Sequence, residues 1–327
     1  EQYFVSIGEK KFKATQVFEW LYQKRVTTIE EFSNIKKEVR EQLQKDFSLE
    51  LPKVIKREID IDVEKYLFEL SDNERIEAVL MRHNYGLSVC VSSQVGCNMG
   101  CKFCESGRLK KVRNLEAHEM VGQILVIESL IKERISSVVI MGIGEPLDNY
   151  ENVIRFIKII NDAKGIQIGA RHITLSTCGL IPKIKELSEL DIQINLAISL
   201  HAPNDHLRSE IMPINKAYPL QELMETIKEY IKKTNRRVTM EYILLKGVND
   251  QKKHAKELAN LLRGMNVYVN LIPYNETNHI EFQKSDKETI DAFYRELQKE
   301  KIQVTVRREF GSSISAACGQ LRSKEIK

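Results

Sequence analysis

Four of the six cysteines in this 327-residue chain fall between positions 90 and 104. The last three, Cys97, Cys101 and Cys104, are spaced C-x3-C-x2-C. Three thiolates on one short loop suit three irons of a 4Fe–4S cube and leave the fourth iron open. An open iron can take the amino and carboxylate groups of S-adenosylmethionine and pass an electron to its sulfonium, releasing a carbon radical. The competing reading is a zinc knot with Cys90, Cys97, Cys101 and Cys104 as four ligands. Zinc sites usually come as two separated C-x2-C pairs, and the chain has a single such pair.

Such a loop needs a scaffold, and from Leu87 onward the pattern is strand, loop, helix, repeated. Strands are predicted over 87–92, 137–141, 172–176, 194–200, 238–245 and 267–272, with a closing strand over 302–307. The helical patterns between them cover 115–133, 150–163, 182–190, 219–234, 251–264 and 286–300, the last opened by a capping box of Ser285 with Glu288. Six βα units argue for a parallel sheet, doubly wound or a partial barrel, whose sites gather at the C-terminal strand ends.

The polar motifs fall at those ends. Met141-Gly142-Ile143-Gly144-Glu145-Pro146 follows the second strand; its glycines let backbone approach a ligand, and Glu145 can accept from a methionyl ammonium. Leu175-Ser176-Thr177-Cys178-Gly179, Ser199-Leu200-His201 and Pro273-Tyr274-Asn275 end three others. Each alone is accounted for as a turn or a helix N-cap; their coincidence on one rim suits a polar cofactor. Ala316-Ala317-Cys318-Gly319-Gln320 holds a lone cysteine among small residues, by itself a buried hydrophobe, and Cys178 reads as structural.

Ahead of the repeats, residues 1–50 read as a small helical unit. Ala14, Val17, Phe18, Leu21 and Tyr22 keep helical spacing, and Ile35, Val39 and Leu43 resume it after a break at Thr27-Thr28. Its lysines and arginines suit a solvated face or an RNA-docking module. Val54–Ile61, Lys65–Leu70 and Arg75–Met81 read as strands of a meander, with Glu77 on an exposed strand face. The formal charge of +4 permits an RNA partner without requiring one. No apolar run approaches a membrane span, and polar residues stand where a signal peptide needs an apolar stretch. The cysteine clustering argues for a reducing, cytoplasmic setting.

Together these residues resemble the RlmN/Cfr family of radical-SAM RNA methyltransferases. The likeness runs from Gly8-Glu9-Lys10-Lys11-Phe12 through Arg75-Ile76-Glu77, the cysteine loop, the Gly-Glu-Pro turn, Leu175-Ser176-Thr177, Ser199-Leu200-His201-Ala202-Pro203-Asn204, Met212-Pro213-Ile214-Asn215 and Ala316–Gln320. It implies an α/β fold with an N-terminal helical RNA-docking domain over 1–52 and a β extension over 53–86. A partial (β/α)6 barrel ending in a methyl-carrier segment would cover 87–327.

By that resemblance Cys97, Cys101 and Cys104 would hold a 4Fe–4S cluster. Gly144, Glu145, Ser176, Ser199, Leu200, His201 and Asn275 would line the S-adenosylmethionine site. Cys318 would carry the methyl group, with Cys90 its disulfide partner and Glu77 the proton acceptor. The expected substrate is C2 of an adenosine in 23S rRNA, with a tRNA adenosine as a second. The expected protein is a monomer away from membranes, reduced by flavodoxin or ferredoxin. Pro146 and the Gly-Glu-Lys-x-Phe segment resemble the C2 branch. The alternatives are the C8 branch, which confers ribosomal antibiotic resistance, and a zinc-stabilised RNA-binding protein without catalysis. Glu105-Ser106 departs from the small residue and Ser or Thr usual after Cys104.

Overall fold

A computed structural model of the chain describes residues 1–277, 279–307, 314, 320 and 321, so Cys318 lies outside the described residues. The N-terminal pattern forms α1 (Gln2–Ser6), α2 (Phe12–Phe18), which runs on into a π-helical turn, and α3 (Lys37–Asp46). The break at Thr27-Thr28 is a capping box: Thr28 caps a short turn of 3-10 helix and Glu31 bonds back to its backbone. Phe4, Ile29, Phe32, Ile35, Val39 and Leu43 make a small core of their own. Arg25 joins this unit to the rest through an ion pair with buried Glu128, 2.8 Å apart.

Alternating apolar residues then give three antiparallel strands, β1 (Lys53–Ile59), β2 (Val63–Glu69) and β3 (Arg75–His83), followed by β4 (Gly86–Cys90). A two-stranded hairpin, β5 (Gln94–Val95) with β6 (Arg113–Asn114), stands apart. The repeats supply β7 (Ser137–Ile140), β8 (Ile173–Thr177), β9 (Asn195–Ser199), β10 (Val238–Leu244), β11 (Val267–Pro273) and β12 (Val304–Val306). One ten-stranded sheet runs β1-β2-β3-β4-β7-β8-β9-β10-β11-β12, parallel from β4 onward. The meander is therefore continuous with the parallel sheet, and the sheet is an open, partial barrel with β1 and β12 at its ends.

The intervening helices are α4 (Ala117–Ile131), α5 (Tyr150–Asn161), α6 (Ile181–Leu187), α7 (Asp205–Ile211), α8 (Leu220–Thr234), α9 (Lys252–Leu262) and α10 (Lys287–Lys299). Their apolar stripes pack on strands buried on both faces, as parallel sheets require. In α5 the stripe is Val153, Ile154, Phe156, Ile157 and Ile160. The short α7 has too few turns to register as a period. The box predicted at Ser285 is displaced by one residue. Asp286 caps α10 by accepting from the Thr289 N–H, while buried Ser285 donates to Asp250 Oδ2 at 2.7 Å. No helix among the described residues is long and apolar enough to cross a membrane.

Phe156 is fully buried on α5, whereas Lys158 faces solvent. Phe156→Ala should cost about 3–5 kcal/mol of unfolding free energy. Lys158→Ala should stay within about 0.5 kcal/mol. Urea titrations followed by circular dichroism measure both.

Candidate active site

In a parallel sheet every loop after a strand emerges on the same rim, which is where the chain places its motifs. The cysteine loop is first knitted to the turn after β7. Ser93 and Gln94 donate their N–H groups to Ile143 O at 2.9 and 3.1 Å, and Gln94 Oε1 accepts from the Glu145 N–H at 2.9 Å. Ser92 exchanges hydrogen bonds with the Gln123 side chain on α4, and Asn149 Nδ2 donates to Ser93 O and Leu115 O. The hairpin of β5 and β6 closes the loop. Gly96 sits there with φ +73°, and Cys97 donates its N–H to Leu109 O at 3.1 Å. A short 3-10 helix, Glu105–Arg108, begins directly after Cys104.

These loops line one cavity. Cys97, Cys101 and Cys104 line it together with Gly144, Glu145, Ser176, Ser199 and His201. Leu200 departs from expectation: its side chain is in the main core, and its carbonyl accepts from Arg208 Nε at 3.2 Å. Asn275 is buried in the loop after β11 but does not line the cavity. Glu77 is also corrected. It is buried rather than exposed, and Lys65 Nζ stands 3.6 Å from its Oε1. Cys90 packs elsewhere, with Val63, Val79, Met81 and Ile143. Ile314 and Leu321, on either side of Cys318 in sequence, pack into the same group. Ser106 Oγ in the cysteine loop donates to Leu321 O at 2.8 Å, and Gln320 Nε2 donates to Glu276 O.

The donor set fits a cluster better than a single ion. Cys90 does not line the cavity that the other three thiols share, which disfavours it as the fourth ligand of a zinc knot. Among the described residues no three His, Cys, Asp or Glu side chains are placed to share one metal. A cube puts each thiolate on a different iron, so its sulfurs must stand apart. Burial pushes the Cys97 thiol up to about 12 and the Cys101 thiol well above its usual value, with the neighbouring thiols adding to both. Such a trio is not stable as thiolates unless cationic iron offsets the charge, and binding then releases the protons.

The cofactor side is polar and preset. Glu145 Oε1 accepts from the Leu147 N–H at 3.0 Å and Oε2 from the Cys178 N–H at 2.8 Å. Burial raises its carboxyl, while those amides and the Thr177 and Cys178 side chains oppose the shift. Ser176 and Ser199 hydroxyls are 3.5 Å apart on neighbouring strands. His201 takes φ +58° and its Nδ1 accepts from the Ile243 N–H at 3.0 Å, so Nε2 carries the ring proton. Burial, helped by Arg208, pulls this imidazole down to about 3, which keeps it a neutral donor.

Comparisons with known proteins bear on this geometry. Residues 91–259 match the family model described as the radical SAM superfamily, and residues 1–49 match the ribosomal RNA large subunit methyltransferase N-terminal domain. A probable dual-specificity RNA methyltransferase RlmN from Enterococcus faecalis is 55% identical, over 99% of this chain and 94% of that protein. One from Spiroplasma citri is 53% identical, over 98% and 93%. The chain belongs to the radical SAM superfamily and, within it, to the RlmN family. A crystal structure of a radical SAM methyltransferase from Sphaerobacter thermophilus superposes with a TM-score of 0.94 at 40% identity, covering 99% of this chain and 96% of that one.

Membership in the radical SAM superfamily brings its cofactors, a 4Fe–4S cluster and S-adenosylmethionine. Several of the groups that shape it escaped the sequence reading. Arg208, fully buried, donates to the carbonyls of Cys178 at 2.6 Å and Leu200 at 3.2 Å and to Asn215 Oδ1 at 2.8 Å. Asn249 holds His201 by donating to His201 O at 2.8 Å and Ile243 O at 2.7 Å. Glu241 and Arg307 line the cavity too; burial raises the Glu241 carboxyl, opposed by Arg307 and by the Asn270 amide at 2.9 Å. Only the i, i+7 polar spacing of Arg208 and Asn215 hints at any of these.

A Cβ at Gly96 would lie 2.1 Å from Lys110 O, in a left-handed backbone conformation. Gly96→Ala should therefore open the cysteine loop and lose most of the reconstituted iron, while the barrel still unfolds cooperatively. Iron assay and thermal unfolding of the same sample check both halves.

Proposed function

We propose that this RlmN-family enzyme methylates C2 of an adenosine in 23S rRNA, and of a tRNA adenosine as a second substrate, by way of Cys318. The observation that carries the reading is the cavity on which three cysteines, the Gly-Glu-Pro turn and the Ser176, Ser199 and His201 side chains converge. The printed name of the relatives, a dual-specificity RNA methyltransferase, supports RNA as the substrate.

An adenine C2 is an electron-poor sp² carbon and cannot attack a sulfonium, so direct methyl transfer has no nucleophile to use. When bound, the cluster supplies the electron that cleaves S-adenosylmethionine reductively. The protein's side chains do the rest. The Cys318 thiolate takes a methyl carbon from one S-adenosylmethionine by displacement, and the radical from a second would remove a hydrogen atom from that S-methyl group, so that the carbon Cys318 presents can add to the ring. Glu145 and the serine hydroxyls orient the methionyl and ribose ends of the cofactor, and His201 offers its Nε2–H. Glu77 accepts the ring proton once the carbon has joined. Cys90 then attacks the Cys318 sulfur; the S–CH2 bond breaks, the carbon takes up a proton to become the methyl group, and the odd electron would return to the cluster that supplied it. This releases the RNA and leaves a disulfide for a reductant to reopen. The packing of Ile314 and Leu321 against Cys90 supports this pairing. The thiolate-held iron calls for a reducing, cytoplasmic setting with flavodoxin or ferredoxin as donor.

The two cysteines separate in a single experiment. Cys318→Ala should keep its cluster yet move no methyl group into protein or RNA. Cys90→Ala should accumulate RNA attached to protein, seen as a denaturation-resistant band that nuclease removes. Nucleoside mass spectrometry of the unsubstituted reaction should give 2-methyladenosine; 8-methyladenosine would overturn the regiochemistry. Normal turnover by cluster-bearing Cys90→Ala without an adduct would overturn the two-cysteine route.

A further inference from the structure

A row of charged side chains crosses the antiparallel strands on one face of the sheet. Glu77 on β3 is 3% exposed and Lys65 on β2 is 4% exposed. Lys65 Nζ stands 3.6 Å from Glu77 Oε1, close enough for an ion pair though not for a hydrogen bond, and 3.0 Å from Glu58 Oε2 on β1. At the exposed edge Lys56 Nζ is 3.3 Å from Glu58 Oε1. The register sets this order. Glu58 is opposite Lys65, Leu67 is opposite Glu77, and Val79 is opposite both Lys65 and Cys90. Residues two apart share a face, so Cys90 lies on the face that carries Lys65 and Glu77.

A buried ion pair is weak evidence for stability, because apolar side chains of similar volume hold a fold at least as well. Nearby positions show that alternative: Val63, Val79, Met81, Ile314 and Leu321 pack on this face as an ordinary apolar group. Two full charges set beside them, next to Cys90, need another reason. We infer that Lys65 is the positioning residue of the proton acceptor, holding Glu77 as a carboxylate on the Cys90 face until the ring proton arrives. This rests on the reading of Glu77 as that acceptor. In the step itself the ring C–H bond breaks, its electron pair stays with the ring, and the proton goes to Glu77. Glu77 then becomes neutral. Lys65 keeps a counter-charge in Glu58, so no buried charge is left alone at any stage.

Among the described residues the ionisable groups on this face around Glu77 are Lys65 and Glu69 from β2, Arg75 from β3, two residues before Glu77 and 3.5 Å from Glu69, and Cys90 from β4, with Glu58 and Lys56 from β1 beyond Lys65. The C-terminal segment meets it with apolar Ile314 and Leu321. Removing the ammonium disfavours the ionised carboxylate, which raises the pH at which Glu77 can act.

The test is a pH series of single turnovers with RNA, on holoenzyme, scoring Cys318 methylation, covalent adduct and released product. Lys65→Met should methylate Cys318 and form adduct as the unsubstituted enzyme does. Its release step should have an acid limb displaced upward by about one pH unit or more, and adduct held at low pH should discharge when the pH is raised. Lys65→Arg should restore the original limb. A soluble Lys65→Met enzyme with an unmoved limb overturns the role of Lys65 while leaving Glu77 in place. Glu77→Gln that discharges adduct normally overturns the acceptor reading, and this inference with it. Should Lys65→Met fail to fold, half-buried Glu58 carries the test: Glu58→Gln leaves Lys65 wholly to Glu77 and should move the limb downward, and an unmoved limb counts against the pair.

Discussion

The rim depends on how closely two stretches of backbone approach each other. Gly142 donates to Val91 O at 3.0 Å, and Ile143 O takes two N–H groups from the opposite stretch. A Cβ on Gly142 would lie 2.6 Å from Val91 O, and one on Gly144 would lie 2.6 Å from Gln94 Cβ. A side chain is excluded at Gly142 and Gly144, while Ser92 Oγ and Gln94 Oε1 accept from the Ile143 and Glu145 N–H groups across the seam, so the cysteine loop and the Gly-Glu-Pro turn form one unit. The separation between the thiols and the Glu145 carboxylate is thereby set by main chain rather than by rotamers. Chemistry that requires a sulfonium to sit close to an iron needs its two partners held in fixed register, and this seam provides it.

Around that unit the protein manages several buried charges. Arg208 is enclosed among carbonyls at the ends of β8 and β9, and its guanidinium favours the thiolates of Cys101 and Cys178. It ties two strands together and sets the electrostatics of the cavity at once. Glu145 is held by amides, Glu241 by an amide and Arg307, and Glu77 by Lys65. Each satisfies the rule that a buried charge must be paired or hydrogen-bonded. The cost of such groups is tolerated where a polar ligand has to be recognised.

Legibility in the sequence followed distance along the chain. The thiol spacing is local, and so are the Gly-Glu-Pro turn and the strand-end hydroxyls, which is why Cys97, Cys101, Cys104, Glu145, Ser176, Ser199 and His201 could be named from the sequence. Strand periods placed the parallel repeats to within a few residues. What escaped depends on contacts between distant segments. Glu77 looked exposed because its partner Lys65 lies on the next strand, twelve residues earlier. Arg208 looked like one more charge on a short helix, because its partners are carbonyls of two strand ends. Ser285 looked like a cap because its pull toward Asp250, 35 residues earlier, is invisible in sequence. Leu200 came with its motif, yet it contributes a carbonyl, not a side chain, to the rim.

The central claim is that three thiols and the polar strand ends form one site for a cluster and S-adenosylmethionine together. Electron paramagnetic resonance of the reduced, anaerobically reconstituted enzyme tests it directly. The account predicts a 4Fe–4S signal whose g-values shift when S-adenosylmethionine is added, because the three thiols and Glu145 line one cavity where the two would meet. A signal from four-iron protein that S-adenosylmethionine leaves unchanged, at a concentration shown by equilibrium dialysis to saturate the protein, would contradict it.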